Sequence, residues 1–153
     1  MTSQYFILDE DGNQAYTIQG KFFSIGDKLT MFDAAGNEVA KINQKILTLM
    51  PHYELYRGGE FFASITKKFT WFKNKFELDV PGPNDYLIEG SFWDYEYVFR
   101  RSGQIVAEVS KKFWSLRDVY GVNIVEGEDE VSILATIAVI DLVCHEDDSS
   151  FVD

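Results

Sequence analysis

The sequence predicts a mainly β protein, a closed antiparallel barrel of about 12 strands around one hydrophobic C-terminal helix at about residues 129–145. Three observations carry this. Turn signals punctuate the chain at short intervals, a weak repeat puts small and branched residues on one strand face, and a long apolar run closes the sequence.

From Gln4 to about Ile124, short runs rich in Val, Ile, Phe, Tyr and Thr are separated by turn-forming stretches. These are Asp11-Gly12-Asn13, Gly26-Asp27, Ala35-Gly36-Asn37, Gly58-Gly59, the 81–85 segment Pro-Gly-Pro-Asn-Asp, and Ser102-Gly103. Such spacing reads as consecutive strands of a barrel or sandwich. Three segments, beginning at Gly36, Gly59 and Gly103, align without gaps on their turn glycine. Because strand side chains alternate between faces, Ala40 and Ile42, Ala63 and Ile65, and Ala107 and Val109 share one face. Lys41, Asn43, Ser64, Thr66, Glu108 and Ser110 share the other. An inner lining of alanine beside one branched residue is shallow, so something other than strand side chains has to fill the centre.

Val131 to Cys144 is apolar at all positions except Ser132, Thr136 and Asp141, and it shows no polar stripe. A helix that is apolar all round is a buried one, and this run would be roughly 21 Å long. A strand reading competes, since Ile and Val are frequent. The length, the alanines and the acidic groups Glu128, Asp129 and Glu130 ahead of the run favour helix, because carboxylates suit the positive end of a helix dipole.

The chain has 153 residues and a formal net charge of −11, with no linker dividing it, so residues 1–153 read as one domain with a frayed tail at about 146–153. Residues 1–117 hold all 14 Lys and Arg against 15 Asp and Glu, whereas residues 118–153 hold ten acidic groups and no basic one. A nucleic-acid binder is not expected from this balance. Thr2 follows Met1, no basic and apolar leader opens the chain, and Cys144 is the single cysteine. A cytoplasmic setting is therefore expected, with no disulfide framework. The apolar run is too short for a membrane span of about 20 residues.

The stretch Tyr120-Gly121-Val122-Asn123-Ile124, the acidic run 126–130 and the helix with Ile137-Ala138-Val139-Ile140-Asp141 resemble the C-terminus of LURP-one-related proteins. Phe99-Arg100-Arg101-Ser102-Gly103 and Val109-Ser110-Lys111-Lys112-Phe113 fit the same family. That family is similar to tubby C-terminal domains and phospholipid scramblases. The resemblance implies a 12-stranded barrel around a central helix. Tubby domains bind phosphoinositide headgroups, scramblases are linked to calcium-dependent lipid movement, and LURP-one proteins are tied to plant defence. The short single-domain members carry no established biochemical activity. The absence of a membrane-length extension and of a cysteine cluster speaks against scrambling.

Candidate chemistry is sparse. The sequence has no zinc spacing, phosphate loop, dinucleotide fingerprint or nucleophile elbow, and no cofactor is expected. His52 and His145 are the histidines, and Cys144 reads as a small buried residue. Asp9, Asp11 and Asn13 begin like a calcium loop, but glycine and glutamate are misplaced for one, so a hairpin turn is expected. Asn123, Glu126, Glu128, Asp129 and Glu130 offer hard oxygen ligands for calcium, set against a solvated acidic approach to the helix. Lys67, Lys68, Lys73 and Lys75, with Arg100, Arg101, Lys111, Lys112 and Arg117, are candidate contacts to an anionic ligand among aromatic residues. Asp141 interrupts the apolar helix and is expected to be structural. It must reach solvent, accept hydrogen bonds or pair with a cation such as Arg100 or Lys112.

These readings favour a non-catalytic binding or scaffold module of unknown ligand or protein partner. The runner-up is a binder of phosphoinositide or other anionic headgroups, peripheral at a membrane. An enzyme in the barrel mouth stands third, since no catalytic pair can be named for it.

Overall fold

The structure is a computed structural model that describes residues 2–22, 25–69, 74–113 and 121–149. Eleven strands form a single antiparallel sheet in which every strand pairs with its neighbours in sequence. They are β1 (Thr2–Leu8), β2 (Gln14–Lys21), β3 (Lys28–Asp33), β4 (Glu38–Lys45), β5 (His52–Arg57) and β6 (Glu60–Lys68). There follow β7 (Lys75–Asp79), β8 (Tyr86–Ser91), β9 (Glu96–Arg101), β10 (Gln104–Ser110) and β11 (Gly121–Ile124). A short 3-10 turn spans Lys111–Phe113, and one helix, α1 (Glu130–Ser149), ends the chain.

The hairpins close where turn chemistry was expected. Asp9 Oδ1 accepts the backbone amides of Asp11 and Asn13 at 3.0 and 2.9 Å. Asp33 Oδ1 accepts those of Ala35 and Asn37 at 3.0 and 2.9 Å. The two turns are the same Asp-x-x-Gly-Asn device, with Gly12 and Gly36 in the left-handed region at φ 83° and 88°. Asp9 is thus spent on its own turn, which explains the likeness to a calcium loop.

The repeat faces fall where alternation puts them. Ala40, Ile42, Ala63, Ile65, Ala107 and Val109 are all buried. Register lines them up across strands: Leu29 opposite Ile42, Ile42 opposite Leu55, and Leu55 opposite Ala63. Phe76, Ile88, Phe99 and Ala107 make a second row. Bulges between Ile7 and Leu8, Met31 and Phe32, Leu55 and Tyr56, and Ile105 and Ala107 raise local twist.

What fills the centre is α1. Ile133, Ala135, Thr136, Val139 and Ile140 are fully buried, and Leu134, Ile137, Leu142 and Cys144 nearly so. The helix lies against β4 and β5, where Ala40 leaves room for a close approach. Its two buried hydroxyls are satisfied locally, Thr136 Oγ1 donating to the Ser132 carbonyl at 2.7 Å and Ser132 Oγ to Asp129 Oδ2 at 2.7 Å. The backbone leaves helical geometry at His145 (φ −127°, ψ 20°), where the buried segment was expected to end, and helical turns resume to Ser149.

The described strands number eleven, and the hydrogen-bonded order runs from β1 to β11 without a ladder joining those two among the described residues. Residues 150–153 of the expected tail lie outside the described residues.

Candidate functional site

An up-and-down sheet sorts its connections to two ends. The β1–β2, β3–β4, β5–β6, β7–β8 and β9–β10 turns share one end with the start of α1, here the cap end. The β2–β3, β4–β5, β6–β7 and β8–β9 connections share the other with the close of α1, here the lysine end.

At the cap end the acidic run is a latch. Asp129 caps α1, its Oδ1 accepting the Ser132 amide at 3.3 Å, and Arg57 of β5 donates to its Oδ2 at 2.8 Å. Arg101 of β9 grips Glu128 with both Nη atoms, Nη2 to Oε1 at 2.6 Å, and Tyr86 donates to Oε2 at 3.4 Å. Tyr16 of β2 donates to Glu130 Oε2 at 2.9 Å. Burial, then Glu130, pushes the Tyr16 hydroxyl up to about 12.

Of the calcium candidates, Glu128 is held from β8 and β9, Asp129 from β5 and Glu130 from β2, while Asn123 and Glu126 are exposed. The acidic atoms that do converge among the described residues are those of Glu77, Asp79 and Asp85, within 4.8 Å of one another. Burial, then Asp85, raises the Asp79 carboxyl above its usual range. Sequence reasoning missed this trio. Its signal is two acids at strand spacing followed by a proline-glycine turn that brings a third back.

The cationic candidates separate. Arg101 is committed to Glu128, and Arg100 lies on the outer wall, donating to the Gly103 carbonyl at 3.3 Å beside an open groove of about 290 Å³. Arg100 is thus turned away from its expected pairing with Asp141, and Lys112 sits over the Phe113 ring at 5.8 Å. Lys73 and Arg117 lie outside the described residues.

Lys67, Lys68, Lys75, Lys111 and Lys112 do gather at the lysine end. They are joined by Lys21, Lys28 and Lys45, which sequence reasoning did not single out. Lys68 faces Lys75 across β6 and β7, and Lys21 faces Lys28 across β2 and β3. Like charges directly opposite are destabilising. Lys75 is relieved by Glu89 at 3.5 Å and Lys45 by Glu54 at 3.5 Å. Of the acids at this end, Asp94 accepts from Ser91 Oγ at 2.6 Å, and Glu96 accepts from Ser110 Oγ at 2.9 Å.

Lys67 alternates to the inner side, opposite Phe76, and lowers the Cys144 thiol against the larger upward effect of burial. Asp141 lies near both Cys144 and Tyr97. The His145 ring stacks on Tyr95 at 4.2 Å, and its Nε2 lies 2.9 Å from the Phe92 carbonyl. His145 thus packs the close of α1 against the β8–β9 connection. The Tyr97 hydroxyl is buried and makes no hydrogen bond among the described residues; burial, then Asp141, holds its pKa well above the usual value.

Apolar side chains are exposed at the same end. Leu47 and Leu49 in the β4–β5 loop are 99% and 103% exposed, and Ile25, Phe69 and Trp93 are each more than half exposed.

The family model described as LURP-one-related matches residues 1–141. A protein of Bacillus subtilis (strain 168) named "Uncharacterized protein YxjI" is 34% identical over 148 residues, which are 97% of this chain and 90% of that protein. Protein LURP-one-related 15 of Arabidopsis thaliana is 24% identical over 161 residues, covering 94% of this chain and 74% of its own length. The X-ray structure of an Arabidopsis thaliana protein superposes with a TM-score of 0.70 at 20% identity, over 92% of this chain and 84% of that one. That likeness speaks for the fold. No helix among the described residues is long and apolar enough to cross a membrane.

Proposed function

The chain belongs to the LURP-one-related family, and on that premise we propose that it is a non-catalytic binding module that presents its lysine end to a partner. The observation that carries this reading is the division of charge. Asp129 and Glu128 at the cap end are taken by Arg57 and Arg101, whereas at the opposite end Lys21 faces Lys28 and Lys68 faces Lys75. The centre is occupied by α1 side chains, which leaves surfaces for recognition. On this reading the sheet acts as a closed barrel of about 12 strands, supported by the burial of most α1 side chains from Ser132 to Cys144, and the chain works in the cytoplasm. The test is a melting-shift screen of the purified chain against lipids and metabolites. A ligand that raises the melting temperature and is recovered unchanged is expected; recovery of a converted product would overturn the non-catalytic reading.

A second reading, binding of anionic lipid headgroups at a membrane surface, is favoured by the facing lysines. An anion between Lys21 and Lys28, or beside Lys68, would remove a repulsion that the fold otherwise carries. The variant Lys21→Glu, Lys68→Glu turns both pairs into opposite charges. It is expected to melt no lower than the wild type and to lose co-sedimentation with phosphoinositide-containing vesicles at low salt. Retained binding in that variant counts against headgroup recognition by these lysines.

A further inference from the structure

Resting on the headgroup reading, we propose that the β4–β5 loop is a membrane anchor: Leu47 and Leu49 enter the acyl region of an anionic bilayer while Lys21 and Lys28 engage its headgroups. The two leucines are essentially fully exposed, so they contribute nothing to the core. Leu47 also holds a left-handed backbone conformation, φ 63°, which a bulky L-residue rarely adopts. Folding stability favours neither feature, and both present apolar side chains outward.

The loop is held in place. The Asp27 amide donates to Gln44 Oε1 at 2.9 Å and the Gln44 amide to the Asp27 carbonyl at 2.8 Å, tying the β2–β3 connection to the end of β4. A Cβ at Gly26 would stand 3.0 Å from the Gln44 carbonyl oxygen and 3.4 Å from Ile46 Cγ2, so the backbone next to exposed Ile25 packs closely on the end of β4. At the far side of the loop, the Lys67 amide donates to the Pro51 carbonyl at 3.0 Å, and Thr48 Oγ1 donates to the Met50 carbonyl at 2.8 Å. The result is a braced apolar tip flanked by lysines.

That pairing of chemistries selects the occupant. Apolar tips alone would suit a protein groove, and lysines alone a soluble anion. Apolar side chains projecting beyond a collar of cations match the layering of an anionic bilayer, where charge lies outside and hydrocarbon inside. The collar is local, since the acid-rich residues 146–148 follow α1 in the sequence. Attraction is therefore expected at short range and to be sensitive to salt.

The experiment uses the whole chain and two kinds of vesicle, phosphatidylcholine alone and phosphatidylcholine with phosphatidylserine. An environment-sensitive fluorophore is attached at Leu47→Cys or, as a control at the cap end, at Ala35→Cys; the native Cys144 is buried. The label at 47 is expected to shift to the blue on the anionic vesicles and to be quenched by brominated acyl chains, and the label at 35 to do neither. Leu47→Asp and Leu49→Asp are each expected to lower partitioning about tenfold or more without lowering the melting temperature. Co-sedimentation that persists in both leucine variants, with the label at 47 still water-exposed, would overturn insertion and leave headgroup binding standing. Loss of all vesicle binding at low salt would overturn both readings. Vesicle-independent self-association that Leu47→Asp abolishes, without bilayer binding, would assign the loop to a second copy and overturn the membrane anchor.

Discussion

Arg101 and Glu128, 27 residues apart, meet through both guanidinium Nη atoms at the start of α1, and Tyr86 donates a further hydrogen bond to the same carboxylate. The Glu128 side chain is 9% exposed and that of Arg101 32%, so the pair is largely withdrawn from water. It holds β9 to the segment that enters the core.

Removing one partner leaves the other charge desolvated. Arg101→Ala and Glu128→Gln are each expected to cost about 2–4 kcal/mol, discounted for the partial exposure of Arg101. Arg101→Ala with Glu128→Gln should cost clearly less than the sum of the two. Urea unfolding of the four proteins measures this; additive losses would show that the contact carries no coupling.

Ala63 is fully buried opposite Leu55, in the shallow lining that admits α1. Ala63→Leu is expected to destabilise by about 1–3 kcal/mol through overpacking, despite adding apolar surface. Calorimetry decides, and a raised melting temperature would mean that the lining has unfilled space.

The Tyr97 hydroxyl is buried and makes no hydrogen bond among the described residues. Desolvating a polar group without a partner is costly, so Tyr97→Phe is expected to be neutral or stabilising by up to about 1 kcal/mol. A clear loss of stability in chemical denaturation would reveal a partner for that oxygen.

The Asp33 carboxyl is held below its usual 3.8, chiefly by the Asn37 amide and further by the amides of Ala35 and Gly36. A depressed folded pKa gives stability that is complete above the unfolded value and is lost as pH falls through the folded one. The difference in melting temperature between the wild type and Asp33→Asn should therefore be widest above about pH 5 and shrink below 3.8. A difference independent of pH would assign the turn to shape and not to charge.

Much of the fold was legible because it is local. Asp-x-x-Gly-Asn turns place their own hydrogen bonds within five residues, and alternation alone assigns Ala40, Ile42, Ala63 and Ile65 to the inner face. The burial of Cys144 followed from an apolar helix with no polar stripe. The candidate site was legible only in part. Lys67 and Lys68, neighbours in the chain, were separated to opposite faces by that same alternation. Lys21 and Lys28 went unnoticed because no cluster in the sequence marks them.

By itself, then, the sequence determined periods, turns, the buried helix and the family. The tertiary structure decided which carboxylates were already spent and which cations were left to face one another. Arg57 meets Asp129 across 72 residues, and Lys21 meets Lys28 only through the β2–β3 register. Such partners are set by long-range pairing and by the end of the sheet at which each connection falls, and neither is encoded in any short window of residues. That is why the net charge of −11 described the chain as a whole and misdescribed the end where it presents its lysines.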